Sequence, residues 1–412
     1  MKTFDNQIET HVLSNGLRII HRNFPSDVSY CGIAVNTGAR DERPEEYGMA
    51  HFVEHMLFKG TTHRKAHHIA SRMENVGGDL NAYTTKEETF VYATFLKEYF
   101  PRAVELLSDI VFNSELSSKQ IERERTVILD EIDSYEDSPS ELIFDEFENF
   151  IYEGHALGHN ILGYPETLIR FNEENLKDFM RRHYQPNNMI FFSFGKTPFS
   201  KVVKQVERYF KVDVKPAVGS IRIAPTYREP LQKLVEKNTM QTHVMLGWYA
   251  DSLYAPQKIV YYFINNLLGG GSVNSRLNSS IREKHGLVYN VESNVALYSD
   301  TGFFSIYFAT DPKNKDKCIK LINKEITRLK EEELTPMQLT TAKRQWKGHL
   351  GIASEINENS ALNMAKSFLH LNRYSSIDKI FGEIDDISSK QIIEMANKLF
   401  SEDGFELVYQ KC

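Results

Sequence analysis

Alternating apolar and polar positions predict the first strands of this chain. Residues 11–20, His-Val-Leu-Ser-Asn-Gly-Leu-Arg-Ile-Ile, are typical of two short strands joined by Asn15-Gly16, a dipeptide common in tight hairpin turns. Apolar runs predict further strands near 30–35 and at 188–194, and two more that end near Phe95. Helical patterns lie between them, so the first half of the chain mixes strands with helices.

The same succession of patterns returns in the second half. Strand-like segments and helical patterns alternate, at 243–248, 257–268, 286–297, 302–308, 314–333, 336–350 and 388–400. Both halves therefore run strand, helix, strand, strand, helix, helix. We predict an α+β fold of two homologous halves, each a mostly antiparallel sheet packed by helices.

Length and proline placement divide the two halves. With 412 residues the chain exceeds the size of one compact core, so two domains are expected. Pro216, Pro225 and Pro230 interrupt the patterns within one short stretch. We therefore predict three segments, which are a first domain at 1–212, a linker at 213–230 and a second domain at 231–412.

Residues 51–55, His-Phe-Val-Glu-His, stand within a helical pattern that ends at Gly60. His51 and His55 are four residues apart, so they lie on the same face of a helix, and Glu54 projects beside them. Two imidazoles in this arrangement can bind one metal ion, and the motif is the inverted form of the His-Glu-x-x-His zinc hydrolase motif. The alternative is a pair of buried histidines beside a solvated glutamate.

A catalytic zinc ion takes three protein ligands and keeps a fourth position open to water, so the two histidines need a partner. Residues 117–137 form a long helical pattern that Ser117 or Ser118 can cap. Its predicted apolar face consists of Ile121, Val127, Ile128 and Ile132. Glu124 and Glu131 are seven residues apart and share a face, so one can bind the metal while the other orients a ligand histidine. The pattern alone does not choose between them.

These motifs resemble those of the pitrilysin-type zinc metallopeptidases, also called inverzincins. The resemblance rests on His-x-x-Glu-His and on residues 124–131, Glu-Arg-Thr-Val-Ile-Leu-Asp-Glu, and it extends over essentially the whole chain. More specifically, the chain is similar to the short branch that includes the mitochondrial processing peptidase subunits and their bacterial homologues. The resemblance implies one Zn²⁺ per chain, with Glu131 as the third ligand, 76 residues after His55, and Glu124 as the residue that orients a ligand.

The resemblance also implies roles for residues outside the helix motif. A strand follows the glycine pair at 77–78, and in the family its sheet edge binds the substrate peptide as an added strand. The implied substrate-binding residues are Asn81, Ala82 and Tyr83. Arg282 and Tyr289 match a catalytic Arg/Tyr pair that reaches toward the scissile carbonyl. Without the resemblance, Arg282 is interpreted as a surface charge and Tyr289 as a core aromatic. The strand is then either an ordinary edge or a substrate-binding one, and both interpretations stay open.

Together these features predict a zinc endopeptidase that hydrolyses short or unfolded peptides in a closed chamber, with Glu54 as the general base. Because one chain carries both the zinc motif and the Arg/Tyr pair, we predict a homodimer in which Arg282 and Tyr289 act on the other chain's zinc site. Two alternatives stay open. One is a non-catalytic scaffold or partner subunit of the same fold, and the other is a zinc hydrolase that cleaves a non-peptide amide.

Composition and charge limit the binding partners and the cellular compartment that we expect for this protein. A net charge of −7 gives no reason to expect nucleic acid or an anionic membrane, and no apolar run approaches the roughly 20 residues that cross a bilayer. The glycine run at 269–271 lacks the spacing of a phosphate loop, so no nucleotide is expected. The first residues do not resemble a signal peptide, and three dispersed cysteines favour a reducing compartment, so we expect a cytoplasmic protein.

Overall fold

The computed structural model describes residues 7–212 and 221–411, which fold into two compact units. As far as they are described, unit 1 comprises Met1–Asp133, Gly154–Arg222 and Ser354–Ser376, and unit 2 comprises Ser134–Glu153, Ile223–Ala353 and Ile377–Cys412. Each unit is a mixed, mostly antiparallel sheet packed by helices. The predicted α+β fold of two similar halves is therefore confirmed.

Unit 1 is built on a six-stranded sheet. Its strands are β1 (Ile8–Val12), β2 (Arg18–Asn23), β3 (Val28–Val35), β4 (Asp79–Thr84), β5 (Thr89–Leu96) and β6 (Met189–Gly195). They lie in the order β1-β2-β6-β3-β5-β4, and all neighbours are antiparallel except the parallel pair β2 and β6. Strand β4 is the last in this order, so it forms an edge of the sheet.

Side chains alternate between the two faces of this sheet. Phe192 belongs to the face that is covered by helix α12 (Asn357–Leu371), which contributes Met364 and Phe368 to the same apolar cluster. The preceding residue, Phe191, points to the other face, where its ring centroid lies 5.6 Å from that of Phe210, just after helix α8 (Phe199–Tyr209). Helices therefore cover both faces of the sheet.

Further helices of unit 1 precede β6 in the chain. They are α1 (Met49–Leu57), α2 (Ala66–Glu74), α3 (Phe100–Phe112), α4 (Ser118–Glu136), α6 (Pro165–Leu168) and α7 (Glu173–His183). Helix α4 begins at Ser118, and three of its predicted apolar residues are buried, but Val127 is 48% exposed. Its place on the apolar face was wrong, because consecutive helical residues are turned by about 100° and Ile128 already occupies the inward position.

Unit 2 repeats this plan on a five-stranded sheet. Its strands are β7 (Gln232–Lys237), β8 (Thr242–Ala250), β9 (Val288–Leu297), β10 (Gly302–Thr310) and β11 (Phe405–Lys411). The order β7-β11-β8-β10-β9 corresponds to β2-β6-β3-β5-β4, and again only the first pair is parallel. Its helices are α5 (Pro139–Ile151), α9 (Lys258–Leu268), α10 (Lys315–Glu331), α11 (Pro336–Ser354), α13 (Ile377–Asp385) and α14 (Ser389–Leu399).

The two halves of the chain exchange one helix each. Helix α5 comes from the first half but packs on β8 and β11, where a Cβ on Gly247 would lie 2.4 Å from the Phe147 ring. Helix α12 comes from the second half but packs on the sheet of unit 1. Helical periodicity does not tell which sheet an amphipathic helix covers. The predicted bounds at 212 and 231 therefore follow the chain order, whereas the compact units do not.

The predicted linker at 213–230 is only partly described. Residues 213–220 lie outside the described residues, and 221–230 contains no helix or strand. Arg222 anchors the start of this extended segment to unit 1, because its guanidinium donates to both carboxylate oxygens of Asp41, at 3.0 and 2.8 Å.

Candidate metal centre

Helix α1 carries the His-x-x-Glu-His motif and begins after a position where the backbone geometry requires glycine. Gly48 has a φ of 97°, and a Cβ at this position would lie 2.6 Å from the carbonyl oxygen of Leu162. Within the helix, Phe52 is fully buried and packs edge-to-face on Phe171, with ring centroids 5.5 Å apart. These contacts fix the rotation of α1, and with it the direction of the motif side chains.

His51 and His55 lie one helical turn apart, with ring centroids separated by 4.5 Å. His51 is 8% exposed. Burial, together with the neighbouring His55, lowers the pKa of His51 to about 3, so this ring is neutral at pH 7. A neutral imidazole keeps the lone pair that a metal ion binds.

Glu131 reaches the same point from helix α4. Its Oε2 lies 3.9 Å from Nε2 of His51 and 3.8 Å from Nε2 of His55. Two atoms that bind one tetrahedral zinc ion, each at about 2.1 Å, are about 3.4 Å apart, so both separations lie within about 0.5 Å of those around a shared ion. Within residues 7–212 and 221–411, these three side chains are the one set of His, Cys, Asp or Glu whose donor atoms lie close enough together to hold a metal.

Glu124 contacts the other nitrogen of His55. Its Oε2 lies 3.3 Å from Nδ1, and its Oε1 pairs with Nζ of Lys59 at 2.9 Å. When Nδ1 donates its proton to Glu124, the lone pair of His55 stays on Nε2, which faces Glu131. The structure thus distinguishes the two glutamates that the helical pattern left equivalent. Lys59 was not predicted, although its position four residues after His55 could have indicated it.

Glu54 lies beside this cluster, and one of its oxygens is fixed. Oγ1 of Thr84 donates to Oε2 of Glu54 at 2.7 Å. Burial raises the pKa of the Glu54 carboxyl, and the hydrogen bond from Thr84 opposes this shift. Thr84 was not predicted. It is the last residue of β4, so it connects the predicted general base with the edge strand.

The three predicted substrate-strand residues lie on edge strand β4, and helix α1 packs next to this strand. The ring of Tyr83 stacks on Phe90 of β5, with centroids 4.9 Å apart, while Asn81 donates through Nδ2 to Asp79 at 2.7 Å. Ala82 is paired with Val91 of β5. The edge therefore presents a β-strand beside the histidine helix.

Arg282 and Tyr289 come together within unit 2. Arg282 lies in a short π-helix, Asn278–Glu283, and Tyr289 lies near the start of the edge strand β9. The guanidinium carbon of Arg282 is 5.8 Å from the ring centroid of Tyr289, and Tyr289 is 84% exposed. The interpretation of Tyr289 as a core aromatic is wrong, since its ring and hydroxyl are open to solvent.

Comparison with known proteins identifies the family. A family model described as Insulinase (Peptidase family M16) matches residues 18–164, and one described as Peptidase M16 inactive domain matches residues 170–346. Uncharacterized zinc protease YmxG of Bacillus subtilis is 33% identical over 96% of this chain and 96% of its own length. The chain belongs to peptidase family M16. A protein of Rickettsia felis, also named uncharacterized zinc protease, is 33% identical over 94% of each chain. The predicted pitrilysin-type resemblance is thereby confirmed.

The M16 fold is also seen in solved structures. A protease from Helicobacter pylori matches with a TM-score of 0.92 at 21% identity, covering 98% of this chain and 99% of that one. A structure described as a peptidase M16 inactive domain, from Pseudomonas fluorescens, matches with a TM-score of 0.89 at 20% identity, covering 98% of both chains. At these identities the likeness shows the shared fold alone.

Two further observations concern the predicted surroundings of this M16 protein. In the two described stretches of the chain, no helix has the length and the apolar character needed to span a membrane. Cys31 and Cys318 are buried and form no disulfide, and Cys412 lies outside the described residues. The cytoplasmic location and the homodimer stay predictions.

Proposed function

We propose that this M16 protein is a zinc-dependent endopeptidase. The observation that carries the proposal is the convergence of His51, His55 and Glu131 beside the edge strand β4. The names of its relatives, which call them zinc proteases, support the same activity. A non-catalytic scaffold has no need for three convergent donors and a glutamate beside them, so the enzyme is the better interpretation.

His51, His55 and Glu131 would hold the zinc ion through two Nε2 atoms and one carboxylate oxygen, which leaves a fourth position for water. Zinc supplies a Lewis acid that polarises a carbonyl group and lowers the pKa of a water molecule. Glu124 keeps the His55 ring in the tautomer that offers Nε2, and Lys59 neutralises the other oxygen of Glu124.

Glu54 moves the protons in this proposal. Its carboxylate takes a proton from the attacking water and later gives it to the nitrogen of the leaving amine, so that the C–N bond breaks to release a neutral amine. The hydrogen bond from Thr84 occupies Oε2, so we assign the proton transfer to Oε1. Burial raises the pKa of Glu54, which makes its carboxylate a stronger proton acceptor.

The substrate is a short or unfolded peptide that binds as an extra strand on β4, along Asn81, Ala82 and Tyr83. Main-chain hydrogen bonds to a sheet edge give affinity that depends little on side chains. A folded protein cannot offer a free extended segment of this kind, and a closed chamber around the edge would exclude it further. This mode of binding favours a peptide over a small non-peptide amide.

Arg282 and Tyr289 complete the site from a second copy of the chain. Both side chains donate hydrogen bonds, and Arg282 carries a positive charge, so the pair suits an oxygen on which negative charge develops. The cation–π contact between them holds the two groups as a unit, and the exposure of Tyr289 leaves its hydroxyl available.

The first test replaces Glu54 with Gln. We expect zinc content to stay at one ion per chain, while cleavage of an internally quenched peptide falls by a factor of about 10² to 10⁴. Mass spectrometry of the products from a peptide mixture identifies the bonds that the parent protein cleaves. Cleavage by Glu54→Gln at the parental rate would contradict the role of Glu54, and amide turnover without peptide turnover would favour the non-peptide hydrolase.

The second test concerns the partner copy. A Glu54→Gln chain lacks the base and a Tyr289→Phe chain lacks the hydroxyl, so each homodimer is impaired. After subunit exchange, mixed dimers contain one site with both groups intact, and we expect part of the activity to return. Mixing that is verified by two affinity tags but restores no activity would exclude action in trans.

A further inference from the structure

We propose that Glu42 and His159 are positioning residues, which hold the start of helix α1 and thereby set the affinity of the site for zinc. The inference rests on the proposed function, because it concerns the same two histidines. Neither residue belongs to the ligands, to the base or to the substrate strand, and neither was singled out from the sequence.

Glu42 binds the first backbone N–H groups of α1. Its Oε2 accepts from the amide nitrogen of Gly48 at 2.8 Å, and its Oε1 accepts from that of Ala50 at 2.7 Å. The first turn of a helix has N–H groups without a helical partner, and Glu42 satisfies two of them from outside the helix. Ala50 directly precedes the ligand His51, so the carboxylate fixes the backbone at the point where the metal motif begins.

His159 holds this carboxylate from the other side. Its Nε2 lies 3.0 Å from Oε2 of Glu42, and the Glu42 side chain is fully buried while that of His159 is 2% exposed. The His159 ring also stacks on Tyr47, with centroids 3.8 Å apart and planes inclined by 13°. A buried carboxylate is stable only when its oxygens have such partners, so Glu42 keeps its place on α1 through His159.

The loop that contains His159 also connects α1 to the turn that follows the edge strand β4. Lys86, 4% exposed and located between β4 and β5, donates through Nζ to the carbonyl oxygens of Leu157, at 3.1 Å, and of His159. The loop around His159 therefore contacts both the start of the ligand helix and the turn next to Thr84. A shift of this loop would move the ligands and the base relative to one another.

These contacts of Glu42 and His159 matter because metal affinity is sensitive to small changes in the distances between the ligand atoms. The donor atoms of His51 and His55 lie 3.9 and 3.8 Å from Glu131 on a different helix, so a tilt of α1 changes both separations at once. Residues that orient ligands from outside typically change metal affinity by about 10- to 100-fold when they are replaced. We expect an effect of this kind from Glu42 and His159.

The test measures zinc affinity directly, by competition of the full-length protein with a chromophoric chelator. His159→Leu removes the ring nitrogen that bonds to Glu42, whereas His159→Gln retains a side-chain amide that can reach the same oxygen. Glu42→Gln keeps the shape but leaves one acceptor for the two N–H groups of α1. The matched control is Asn172→Ala, because the Asn172 side chain caps α7 in the same unit, accepting from Glu174 at 2.9 Å and Asn175 at 3.1 Å.

We expect His159→Leu and Glu42→Gln to weaken zinc binding by tenfold or more, on the order given for orienting residues. His159→Gln should recover most of the affinity, and Asn172→Ala should lower the melting temperature while the zinc Kd changes by less than about twofold. The absorption spectrum of the cobalt-substituted protein provides a second readout, and we expect it to change in His159→Leu but not in Asn172→Ala.

Two results separate this inference from the proposed function. A parent protein that binds no zinc overturns both. A parent that binds zinc, together with a folded His159→Leu variant of the same zinc Kd, overturns the positioning role alone. If Glu42→Gln does not fold, His159→Leu decides, because it leaves both hydrogen bonds from α1 to Glu42 in place.

Discussion

The two units share one strand order, yet only unit 1 gathers metal-binding side chains on the helix that follows its central strand. In unit 1 that helix is α1, which follows β3 and carries His51, Glu54 and His55. In unit 2 the helix after β8 is α9, whose buried residues are mostly apolar. They are Val260, Tyr261, Phe263, Ile264, Asn266 and Leu268. The same arrangement of strands and helices therefore presents candidate metal ligands in unit 1 and mainly apolar packing residues in unit 2, and a few side chains make the difference.

The exchanged helices show a second difference. In unit 1, α12 is attached through polar contacts to buried Glu88, which directly precedes β5: Nε2 of His370 lies 2.9 Å from Oε2 of Glu88, and Lys366 contacts the other oxygen. In unit 2, α5 packs largely through aromatic rings, such as Phe150 against Phe405 at 5.7 Å between centroids. The two helices thus cover equivalent sheets by different means, since α12 is attached through polar contacts and α5 through apolar ones. We expect the attachment of α12 to depend more strongly on pH.

The largest expected effect tests the difference between α1 and α9. His51→Ala removes one of the three proposed zinc ligands, so we expect the protein to lose its bound zinc and its peptidase activity. The matched control is His243→Ala in β8 of unit 2, where the buried ring bonds to Tyr307 at 2.9 Å and Thr239 at 3.0 Å. Elemental analysis after dialysis should find one zinc per chain in this control. Equal zinc in both variants would remove the distinction between the units.

The next effect concerns the attachment of α12. Burial alone raises the pKa of Glu88, but hydrogen bonds and charges from His370 and Lys366 outweigh it and lower the pKa to about 2, below the ordinary 4.5. A lowered pKa stabilises the folded state above pH 4.5, and this stabilisation, on the order of 3 kcal/mol, is lost as the pH falls from 4.5 toward 2.

Hydrogen exchange measured at several pH values, corrected for the intrinsic rate, checks this expectation. Protection of the α12 amides should fall between pH 4.5 and pH 3, while protection of the α5 amides changes less. Glu88→Gln should remove the pH dependence in α12. A parallel loss of protection in both helices would contradict the assignment to Glu88.

The smallest expected effect concerns the packing of α5 on the sheet of unit 2. Gly247→Ala places a Cβ 2.4 Å from the Phe147 ring, so we expect unit 2 to lose about 1–3 kcal/mol of stability, with the zinc Kd unchanged. The control is Gly348→Ala in helix α11, where a Cβ meets nothing within 4 Å and should stabilise the helix by about 0.5–1 kcal/mol. Tryptophan fluorescence during urea unfolding reports on this unit, since both tryptophans, Trp248 and Trp346, lie in it.

Sequence patterns predicted what depends on local spacing. The pair His51 and His55 and the shared face of Glu124 and Glu131 follow from helical periodicity, and the structure brings these four residues together. The strands of both halves were predicted from local runs and alternation of apolar residues. The exceptions are β7 and β11, whose sequences lack a clear alternating pattern. These local patterns were sufficient to predict the α+β fold class.

What the sequence did not reveal depends on contacts between distant segments. Thr84 meets Glu54 across 30 residues, and His159 meets Glu42 across 117 residues, so no local pattern points to either pair. The helix exchange was missed for two reasons. No helix was predicted at the position of α12, and the helical pattern that includes α5 predicts a buried face but not the sheet that buries it. The choice of Glu131 over Glu124 came from resemblance and not from spacing.

The most direct test of the account is anomalous X-ray scattering at the zinc absorption edge, from crystals of the protein grown with zinc. We predict one anomalous peak per chain, bound by Nε2 of His51, Nε2 of His55 and a carboxylate oxygen of Glu131. A zinc-saturated crystal without a peak at these three side chains, or with its only peak elsewhere, would contradict the account.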